Sequence, residues 1–352
     1  MSWPIFWEKK QWQSIALLPL AKLVCWEAAR RLKKFESSAI NKPTQAVVVV
    51  VGNIVVGGTG KTPFIIWLAK QLQQRNLKVG IISRGYGATQ QSWPHLVTDQ
   101  SQASECGDEP LMLAKQTGCP VAVSPKRIEA IALLESKTQC DVIISDDGLQ
   151  HYAMARDIEI VLIDAQRQFG NGFCMPSGPL REPLERIQKV DFTVWNGLES
   201  GDTIPVLTYP QKNPSRMQLK PYAFRLVGQP EVEVSVAEFL QKYPNFNVLA
   251  LAGIGNPQRF FTTLTSMGLK VDGTAFKDHY AYQKEDIEKV VNNPLNTPNN
   301  AIEQKPLIMT EKDAVKCTAF AEQEKHWWYL EVIPNCDQSI VDSIVQQCHS
   351  AK

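Results

Sequence analysis

The chain has 352 residues, 44% of them hydrophobic and 21% charged, a balance that excludes a disordered or fibrous protein. Its 37 Lys and Arg nearly cancel its 36 Asp and Glu, so the net charge of +1 argues against general binding to nucleic acid. The length exceeds what one hydrophobic core usually holds, and we therefore expect more than one globular domain.

Eight cysteines are scattered along the chain without a CxxC pair, and none lies at metal-ligand spacing from a histidine. A structural zinc site is therefore not expected. Because the chain is large for a disulfide scaffold, we expect reduced thiols, most of them in the core.

Residues 1–36 form an amino-terminal segment with seven basic and three acidic side chains. Its apolar stretch, 15–26, is too short for a bilayer crossing, which needs about 20 apolar residues. From Pro19 onward, apolar residues recur at three and four positions and predict an amphipathic helix with a basic opposite face. We expect this segment to lie on a membrane surface, although an ordinary surface helix has a similar pattern. Four tryptophans add rings typical of membrane interfaces: Trp3, Trp7, Trp12 and Trp26.

Apolar, β-branched runs with the length of buried strands recur over the next 160 or so residues. Helical patterns separate several of them, and this alternation predicts an α/β fold with a parallel sheet covered by helices on both faces. The predicted strands are 46–51, 79–82, 120–123, 142–144, 158–163 and 192–195. The predicted helices include 64–73 and 128–135.

The sharpest motif follows the first predicted strand and resembles a phosphate loop, Gly57-Gly58-Thr59-Gly60-Lys61-Thr62-Pro63. A glycine-rich turn before a helix lets backbone N–H groups approach phosphate oxygens, and the helix N-terminus adds partial positive charge. We expect Lys61 to bridge the β- and γ-phosphates and Thr62 to bind Mg²⁺ through its hydroxyl. The full pattern has glycine where this chain has Val55, so the first turn must differ. The predicted nucleotide-binding residues are Asn53, Gly57, Gly58, Thr59, Gly60, Lys61 and Thr62.

Gly107-Asp108-Glu109-Pro110 lies further along in a predicted loop. A kinase with an alcohol acceptor needs a carboxylate near the hydroxyl, to orient it and take its proton. Composition does not choose between Asp108 and Glu109, and capping of a helix N-terminus is the alternative role.

Another motif, Asp146-Asp147-Gly148-Leu149-Gln150-His151, follows the predicted strand 142–144. An Asp at the carboxyl end of a buried strand, downstream of a phosphate loop, is typical of the second metal-binding element of ATPases. We expect Asp146 or Asp147 to hold Mg²⁺ together with Thr62, directly or through water. An ordinary Asp-Gly surface turn is the alternative.

Residues 201–222 contain four prolines and predict a domain boundary. Beyond them, the pattern predicts a second α/β unit with strands at 248–252, 306–310 and 327–332 and a helix at 258–267. We therefore expect three parts: a membrane-associated segment 1–36, a phosphate-loop kinase domain 37–220 and a smaller α/β domain 221–352.

Seven motifs in combination resemble the tetraacyldisaccharide 4'-kinase family, whose members phosphorylate a membrane-bound glycolipid of the lipid A pathway. The resemblance extends from the basic amino-terminal helix to about residue 332. The motifs are Gly57-Gly58-Thr59-Gly60-Lys61-Thr62-Pro63, Ser83-Arg84-Gly85-Tyr86-Gly87, Gly107-Asp108-Glu109-Pro110, Asp146-Asp147-Gly148-Leu149-Gln150-His151, Gly178-Pro179-Leu180-Arg181-Glu182, Asp278-His279 and Thr310-Glu311-Lys312-Asp313-Ala314.

The resemblance implies transfer of phosphate from ATP to the 4'-hydroxyl of tetraacyldisaccharide 1-phosphate, giving lipid IVA. It implies Mg²⁺ as the cofactor and a peripheral enzyme on the cytoplasmic face of the inner membrane. Its implied partners are the glycolipid and the membrane surface, with neither nucleic acid nor an obligate protein partner.

The resemblance also implies roles for individual residues. By position, Lys61 and Asp108 are the catalytic lysine and the catalytic base, and His279 pairs with that base. Asp146 and Asp147 match the metal-handling aspartates. His151 is ambiguous, because it either contacts a ligand or caps the turn after the Asp pair. The residues expected near phosphate or sugar are Arg84, Arg127, His151, Arg181 and Glu182.

Three other functions fit parts of the pattern. A membrane-associated partitioning or targeting ATPase is the main alternative, but such proteins have a Lys before the two glycines, where this chain has Val56. A GTPase needs Asn-Lys-x-Asp to recognise guanine, and the nearest match, Glu311-Lys312-Asp313, lacks the Asn. A non-catalytic glycolipid-binding protein leaves Lys61 and Asp108 without a role.

Overall fold

The computed structural model describes residues 3–38, 40, 42–89, 92–98, 100–243, 247–278, 280–292 and 305–351. These residues form two compact units. The larger unit contains Trp3–Leu219 and Pro334–Lys352, and the smaller unit contains Lys220–Ile333. The sequence predicted 334–352 in the smaller domain and 1–36 as a separate part, whereas the described residues of both belong to the larger unit.

Helices and strands alternate along most of the chain. The strands are β1 (Val47–Gly52), β2 (Val79–Ser83), β3 (His95–Val97), β4 (Val121–Val123), β5 (Val142–Asp146), β6 (Ile158–Asp164), β7 (Phe192–Asn196), β8 (Pro214–Leu226), β9 (Glu233–Ser235), β10 (Asn247–Ala252), β11 (Lys270–Ala275), β12 (Leu307–Thr310) and β13 (Trp327–Cys336). The helices are α1 (Ile5–Glu8), α2 (Trp12–Ala16), α3 (Leu18–Ser37), α4 (Lys61–Gln74), α5 (Ala103–Cys106), α6 (Asp108–Thr117), α7 (Arg127–Lys137), α8 (Val236–Lys242), α9 (Pro257–Ser266), α10 (Lys284–Val291), α11 (Glu311–Cys317) and α12 (Ser339–Ala351), with 3-10 turns at Leu184–Lys189 and Thr318–Phe320.

The sheet of the larger unit has the strand order β8-β7-β6-β1-β5-β2-β4-β3. Its neighbours are parallel, except that β3 runs antiparallel to β4. The central strand β1 consists of five valines and a glycine and is buried throughout, as expected for a strand covered on both faces. Val48 and Val50 share a core with α7, while α4 and α12 also pack against β1. The predicted α/β class and its parallel sheet are therefore confirmed.

The stretch 201–222, predicted as a domain boundary, contains the start of β8 at Pro214, and the two units divide within it, between Leu219 and Lys220. The stretch from Pro214 to Met217 pairs with β7, and the stretch from Ala223 to Arg225 pairs with β9. Pro221 lies between these two paired stretches, where its missing N–H removes no hydrogen bond from either of them.

The amino-terminal segment packs on the larger unit through the face that the sequence predicted as apolar. Ala21 is buried, and the Phe35 ring lies 5.4 Å from the ring of Tyr152. A disulfide joins Cys25 on α3 to Cys174, which corrects the expectation of reduced thiols for this pair. Of the tryptophans assigned to a membrane interface, Trp12 and Trp26 are exposed, but Trp3 is buried. None of the helices in the described part of the chain has the length and apolarity that crossing a bilayer requires.

The carboxy-terminal helix α12 belongs to the larger unit because its apolar side chains are buried there. Ile340, Val341 and Ile344 have no exposed surface. An ion pair of 3.0 Å joins Asp342 of α12 to Arg75, just after α4. Periodicity alone did not reveal this position, since it does not tell which core an amphipathic helix covers.

In the smaller unit the strand order is β11-β10-β12-β13-β8, and β9 pairs with β8. Strands β10 to β13 form parallel pairs, and a separate hydrophobic core covers each face of the sheet. The buried Asp313 connects two elements of this unit. It accepts hydrogen bonds from the Gly253 N–H at 2.9 Å and from the Thr310 hydroxyl at 2.6 Å. The motif around Thr310 therefore caps α11 and fixes it to the end of β10.

Candidate functional site

The phosphate loop leaves the sheet where three strand ends meet. β1 lies between β5 and β6, and the register aligns Val51 with Asp146 and Gly52 with Val161. A Cβ on Gly52 would lie 2.7 Å from Cβ of Leu149, so glycine is needed for the chain after the Asp pair to pass there. The phosphate loop and the Asp pair therefore lie at one sheet edge, the edge where open α/β sheets bind ligands.

The first turn of the loop explains the valine at position 55. Val55 forms an antiparallel bridge with Leu180. The Val56 N–H donates to the Pro179 carbonyl at 2.9 Å, and the Arg181 N–H donates to the Ile54 carbonyl at 2.7 Å. This stretch is extended and paired rather than a glycine turn, and it brings the motif containing Arg181 and Glu182 beside the phosphate loop.

The centre of the loop needs its glycines. Gly57 and Gly60 have φ angles of 104° and 90°, in the left-handed region that favours glycine. A Cβ on Gly60 would also lie 2.3 Å from the side-chain nitrogen of Asn196. The same Asn196 nitrogen donates to the Thr59 carbonyl at 2.9 Å, while the Asn53 side-chain nitrogen donates to the Gly57 carbonyl at 3.0 Å.

Asn196 was not predicted from the sequence. It ends β7, two strands from β1, and a polar side chain at the carboxyl end of a parallel strand is the signal that could have found it. Gln150, within the motif from Asp146 to His151, was also not predicted to have a role of its own. Its side-chain nitrogen donates to the Asn53 carbonyl at 3.1 Å and ties the motif to the start of the phosphate loop.

Asp147 lies between two cations. Its Oδ1 is 3.4 Å from Nζ of Lys61, and its Oδ2 is 3.0 Å from Nη1 of Arg181. Burial by itself would raise the pKa of Asp147, but Lys61 and Arg181 outweigh that effect and hold the pKa well below its usual range. Asp147 is therefore a carboxylate at neutral pH.

The neighbouring Asp146 has a different environment. It is 3% exposed, and its Oδ2 accepts a hydrogen bond from the Ser83 hydroxyl at 3.1 Å. Its Oδ1 is buried and has no hydrogen-bond partner among the described residues. Burial raises the pKa of Asp146 to about 7, and the nearby carboxylates of Glu109 and Asp147 act in the same direction.

These oxygens fit a magnesium ion. A cation beside Asp146 would give its buried Oδ1 a partner and would offset the crowding of carboxylates around it. Thr62, the second residue of α4, supplies a hydroxyl. In the part of the chain that the structure describes, no group of three or more His, Cys, Asp and Glu could hold a metal. A small number of protein ligands is nevertheless compatible with Mg²⁺, because this ion keeps several water molecules when a protein binds it.

Positively charged groups also lie near Asp146 and His151. Arg127, the first residue of α7, is buried, and its guanidinium donates to the carbonyls of Asp146 and Ser124, each at 3.1 Å. Burial lowers the pKa of His151 to about 4, and the charges of Arg127, Arg156 and Arg84 add to this effect. His151 is therefore neutral at pH 7, in a field that favours an anion.

Asp108 and Glu109 begin α6 immediately after Gly107. Gly107 has a φ of 93°, and a Cβ there would lie 2.6 Å from the Tyr86 carbonyl, so the loop after Arg84 passes directly against this helix start. Both carboxylates are half-buried. Because Glu109 contributes to the raised pKa of Asp146, the start of α6 is close to the Asp pair.

Glu182 lies inside the protein rather than on an open surface. It is 2% exposed and accepts a hydrogen bond from the Tyr152 hydroxyl, and its Oε2 is 3.5 Å from the buried Arg186. Burial raises the pKa of this carboxyl. The structure therefore places the predicted phosphate- or sugar-binding residues in different environments. Arg84 is exposed and Glu182 is buried. Arg181 pairs with Asp147, and Arg127 donates to the Asp146 carbonyl and lies near His151.

His279 lies outside the described residues. Its neighbour Asp278 belongs to the smaller unit, where its Oδ1 is 3.4 Å from Nζ of Lys312. Two of the seven motifs, Asp278-His279 and the one containing Lys312, therefore meet within that unit. The pairing of His279 with the catalytic base stays a prediction.

A parallel sheet with a phosphate loop after β1 and an Asp pair at the end of β5 is typical of phosphate-loop nucleotide-binding proteins. The family model for tetraacyldisaccharide-1-P 4'-kinase (LpxK) matches residues 13–349. The chain therefore belongs to the tetraacyldisaccharide 4'-kinase family.

Individual relatives agree with this assignment. Proteins named tetraacyldisaccharide 4'-kinase are 51% identical over 339 residues in Hydrogenovibrio crunogenus (96% of this chain, 94% of that one) and 43% identical over 304 residues in Haemophilus influenzae (86% and 81%). A crystal structure of LpxK from Aquifex aeolicus in complex with ATP has a TM-score of 0.73 and 26% identity, covering 95% of this chain and 99% of that one. The predicted lipid A 4'-kinase function is confirmed, and the partitioning ATPase is not favoured.

Proposed function

We propose that this chain transfers the γ-phosphate of ATP to the 4'-hydroxyl of tetraacyldisaccharide 1-phosphate at the cytoplasmic surface of the inner membrane, giving lipid IVA. The observation that supports this most directly is the strand register, which aligns the end of β1 with Asp146 and so brings Lys61 and the Asp pair to one sheet edge. The ATP complex of the Aquifex aeolicus relative is consistent with it.

The nucleotide is bound by the loop from Gly57 to Thr62. Its backbone N–H groups and the start of α4 hold the phosphates, and Lys61 neutralises charge that builds on the β- and γ-phosphates. Thr62, Asp146 and Asp147 would hold Mg²⁺, which when bound draws charge from the same phosphate oxygens.

Asp108 is the group that takes the proton. The sugar 4'-oxygen attacks the γ-phosphorus, the bond from that phosphorus to the β–γ bridging oxygen breaks, ADP leaves, and the hydroxyl proton passes to Asp108. Arg84, Arg127 and Arg181 supply positive charge around the reacting phosphate. His151, neutral at pH 7, can donate one hydrogen bond and accept another. Glu182 has a supporting role, since it is enclosed with Tyr152 and Arg186.

Membrane contact is made by a different face of the amino-terminal segment from the one that packs on the protein. Six large apolar side chains there are between 54% and 75% exposed: Ile5, Trp12, Ile15, Leu20, Leu23 and Trp26. Exposed lysines lie among them, including Lys9, Lys10 and Lys22. This combination suits an anionic bilayer surface, where the apolar groups enter the acyl boundary and the lysines contact headgroups.

The test is phosphate transfer from labelled ATP to tetraacyldisaccharide 1-phosphate in detergent micelles. Wild-type protein is expected to label the glycolipid, and Lys61→Ala is expected to abolish the transfer. Asp108→Asn and Glu109→Gln form a matched pair of neutralised carboxylates at the start of α6. Loss of a catalytic base costs about 100-fold or more in kcat, so Asp108→Asn should show the larger loss by that margin.

Two results would contradict the proposal. Hydrolysis of ATP by wild-type protein without any labelling of the glycolipid would make the partitioning ATPase the better interpretation. A larger loss of kcat in Glu109→Gln than in Asp108→Asn would move the role of the base to Glu109 and leave the kinase assignment unchanged.

A further inference from the structure

Four consecutive carbonyl oxygens of the phosphate loop each accept a hydrogen bond from a side-chain N–H. The four donor–carbonyl pairs are Trp3 with Val56 at 2.9 Å, Asn53 with Gly57 at 3.0 Å, Arg167 with Gly58, and Asn196 with Thr59 at 2.9 Å. Of the four donors, only Asn53 lies in the same segment as these carbonyls, between β1 and α4. The other three donors come from the amino-terminal segment, the turn after β6 and the end of β7.

This arrangement controls which way the peptide groups of the loop face. A peptide whose carbonyl is held on the outer side presents its N–H on the opposite side, where a phosphate oxygen can accept it. Glycine peptides rotate easily, and a rotated peptide would turn a carbonyl toward the phosphate. Gly57 and Gly58 are therefore the residues whose peptides most need such restraint.

Trp3 and Arg167 support each other in this task. The Arg167 guanidinium carbon lies 4.9 Å from the centre of the Trp3 ring. A Cβ on Gly57 would be 3.6 Å from both Nε1 of Trp3 and Nη1 of Arg167, so the two side chains meet directly at the loop. Asp164, at the end of β6, is 3.7 Å from the guanidinium and also accepts the Arg167 backbone N–H at 2.9 Å, which fixes the direction of the arginine.

We propose that Trp3 and Arg167 are positioning residues for ATP, which hold the carbonyls of Val56 and Gly58 outward so that the loop N–H groups converge on the phosphates. The proposal rests on the proposed nucleotide role of the loop. It makes the beginning of the amino-terminal segment part of the nucleotide site, in addition to any role of that segment at the membrane.

Trp3→Phe and Trp7→Phe form a matched pair for the test. Each removes one indole N–H from the same segment and keeps an aromatic ring, but the Trp7 N–H donates to the Pro176 carbonyl at 2.9 Å, away from the loop carbonyls. Direct binding of ATP is measured on the full chain in detergent. Trp3→Phe is expected to raise the Kd for ATP about fivefold, the effect of losing one hydrogen bond, and to raise the KM for ATP without changing the KM for the glycolipid. Trp7→Phe is expected to leave the Kd within a factor of about two.

Arg167 is tested by a conservative and a non-conservative variant. Arg167→Met is expected to raise the Kd for ATP at least tenfold, because a charged donor is lost, and Arg167→Lys is expected to restore part of the affinity. The double variant Trp3→Phe/Arg167→Met should lose less than the product of the two single losses, since the side chains support one loop.

Equal loss of ATP affinity in Trp3→Phe and Trp7→Phe would overturn the proposal, because it would mean that the segment acts through general stability. Unchanged ATP affinity in both Trp3→Phe and Arg167→Met would overturn it as well. Failure of the proposed function is a different result, in which wild-type protein itself does not bind ATP.

Discussion

Nζ of Lys61 lies 3.4 Å from Oδ1 of Asp147, so the lysine of the phosphate loop forms an ion pair with an aspartate of the motif from Asp146 to His151. Asp147 is shared with Arg181, at 3.0 Å on its other oxygen. A bound phosphate must compete with Asp147 for Lys61, whereas a metal ion would use the same carboxylate as a ligand.

This competition predicts opposite effects of Asp147→Asn under two conditions. Without divalent metal, the variant should bind ATP up to about fivefold more tightly than wild type, because Lys61 is no longer held by an intramolecular anion. With Mg²⁺, it should bind ATP more weakly and turn over more slowly, because a carboxylate ligand is lost. ATP binding with EDTA and with Mg²⁺ measures both effects, and a change in the same direction under both conditions would contradict the shared role.

His151 gives a prediction about pH. Because burial and three arginines lower its pKa to about 4, its imidazole resonances should not shift between pH 8 and pH 5.5. The unfolded chain takes up this proton near pH 6.5, so the stability that neutral His151 contributes is complete above that pH and is lost as the pH falls toward 4. Comparison of the proton NMR spectra of wild type and His151→Gln assigns the imidazole signal of His151. A titration midpoint near pH 6.5 for this signal in the folded protein would show that the arginines do not surround His151.

A bound anion should reverse part of this shift. The phosphates of a non-hydrolysable ATP analogue would offset the positive field of Arg84, Arg127 and Arg156, and the pKa of His151 should rise. The same NMR titration with saturating analogue measures the change. An unaltered titration with bound analogue would mean that the phosphates lie away from this arginine group.

The buried carboxyl of the smaller unit gives a prediction about stability. Tyr282→Phe removes the hydroxyl that donates to Oδ1 of the buried Asp313 at 3.1 Å, and it should lower the free energy of unfolding of that unit by about 1–2 kcal/mol. Tyr280→Phe is the matched control, because its hydroxyl is 3.3 Å from Asp286 in a more exposed position; its cost should be below about 0.5 kcal/mol. Hydrogen exchange of the β10 and β12 amides locates the effect, and equal costs would argue against a special role of Asp313.

The exposed apolar face gives a prediction about membrane binding. Replacing Leu20, Leu23 and Trp26 together by Ser should reduce binding to vesicles with anionic lipids at least tenfold, since each residue contributes about 1 kcal/mol or more of apolar transfer. Val206→Ser removes another exposed apolar side chain, 96% exposed, and should leave binding unchanged. Sedimentation with vesicles measures both, and undiminished binding of the triple variant would exclude this face as the membrane contact.

Local patterns were sufficient to predict the centre of the larger unit. Five successive valines specify β1 as a fully buried strand, and the glycine-rich turn before Lys61 predicts the loop that follows. Asp146 could be predicted to lie near that loop, because parallel strands in one sheet end at the same edge. These features depend on residues close together in the chain or on a general property of parallel sheets.

Other features depend on tertiary packing, which a single sequence does not reveal. Trp3 is of a residue type enriched at membrane interfaces, but it is buried beside the phosphate loop, where its ring contacts Arg167. Asn196 is one of many polar residues at strand ends until its contact with the Thr59 carbonyl is known. The disulfide between Cys25 and Cys174, 149 residues apart, had no signal in cysteine spacing.

The position of α12 has a consequence for the order in which the protein can fold during synthesis. The smaller unit lies between Leu219 and Pro334 in the chain, so the ribosome completes it before α12 emerges. Until then α4 and β1 lack the helix that packs against them, and the ion pair from Arg75 to Asp342 cannot form. The chain of the unit that carries the phosphate loop is therefore interrupted by the whole smaller unit, and the packing around α4 and β1 is complete only after α12 has been made.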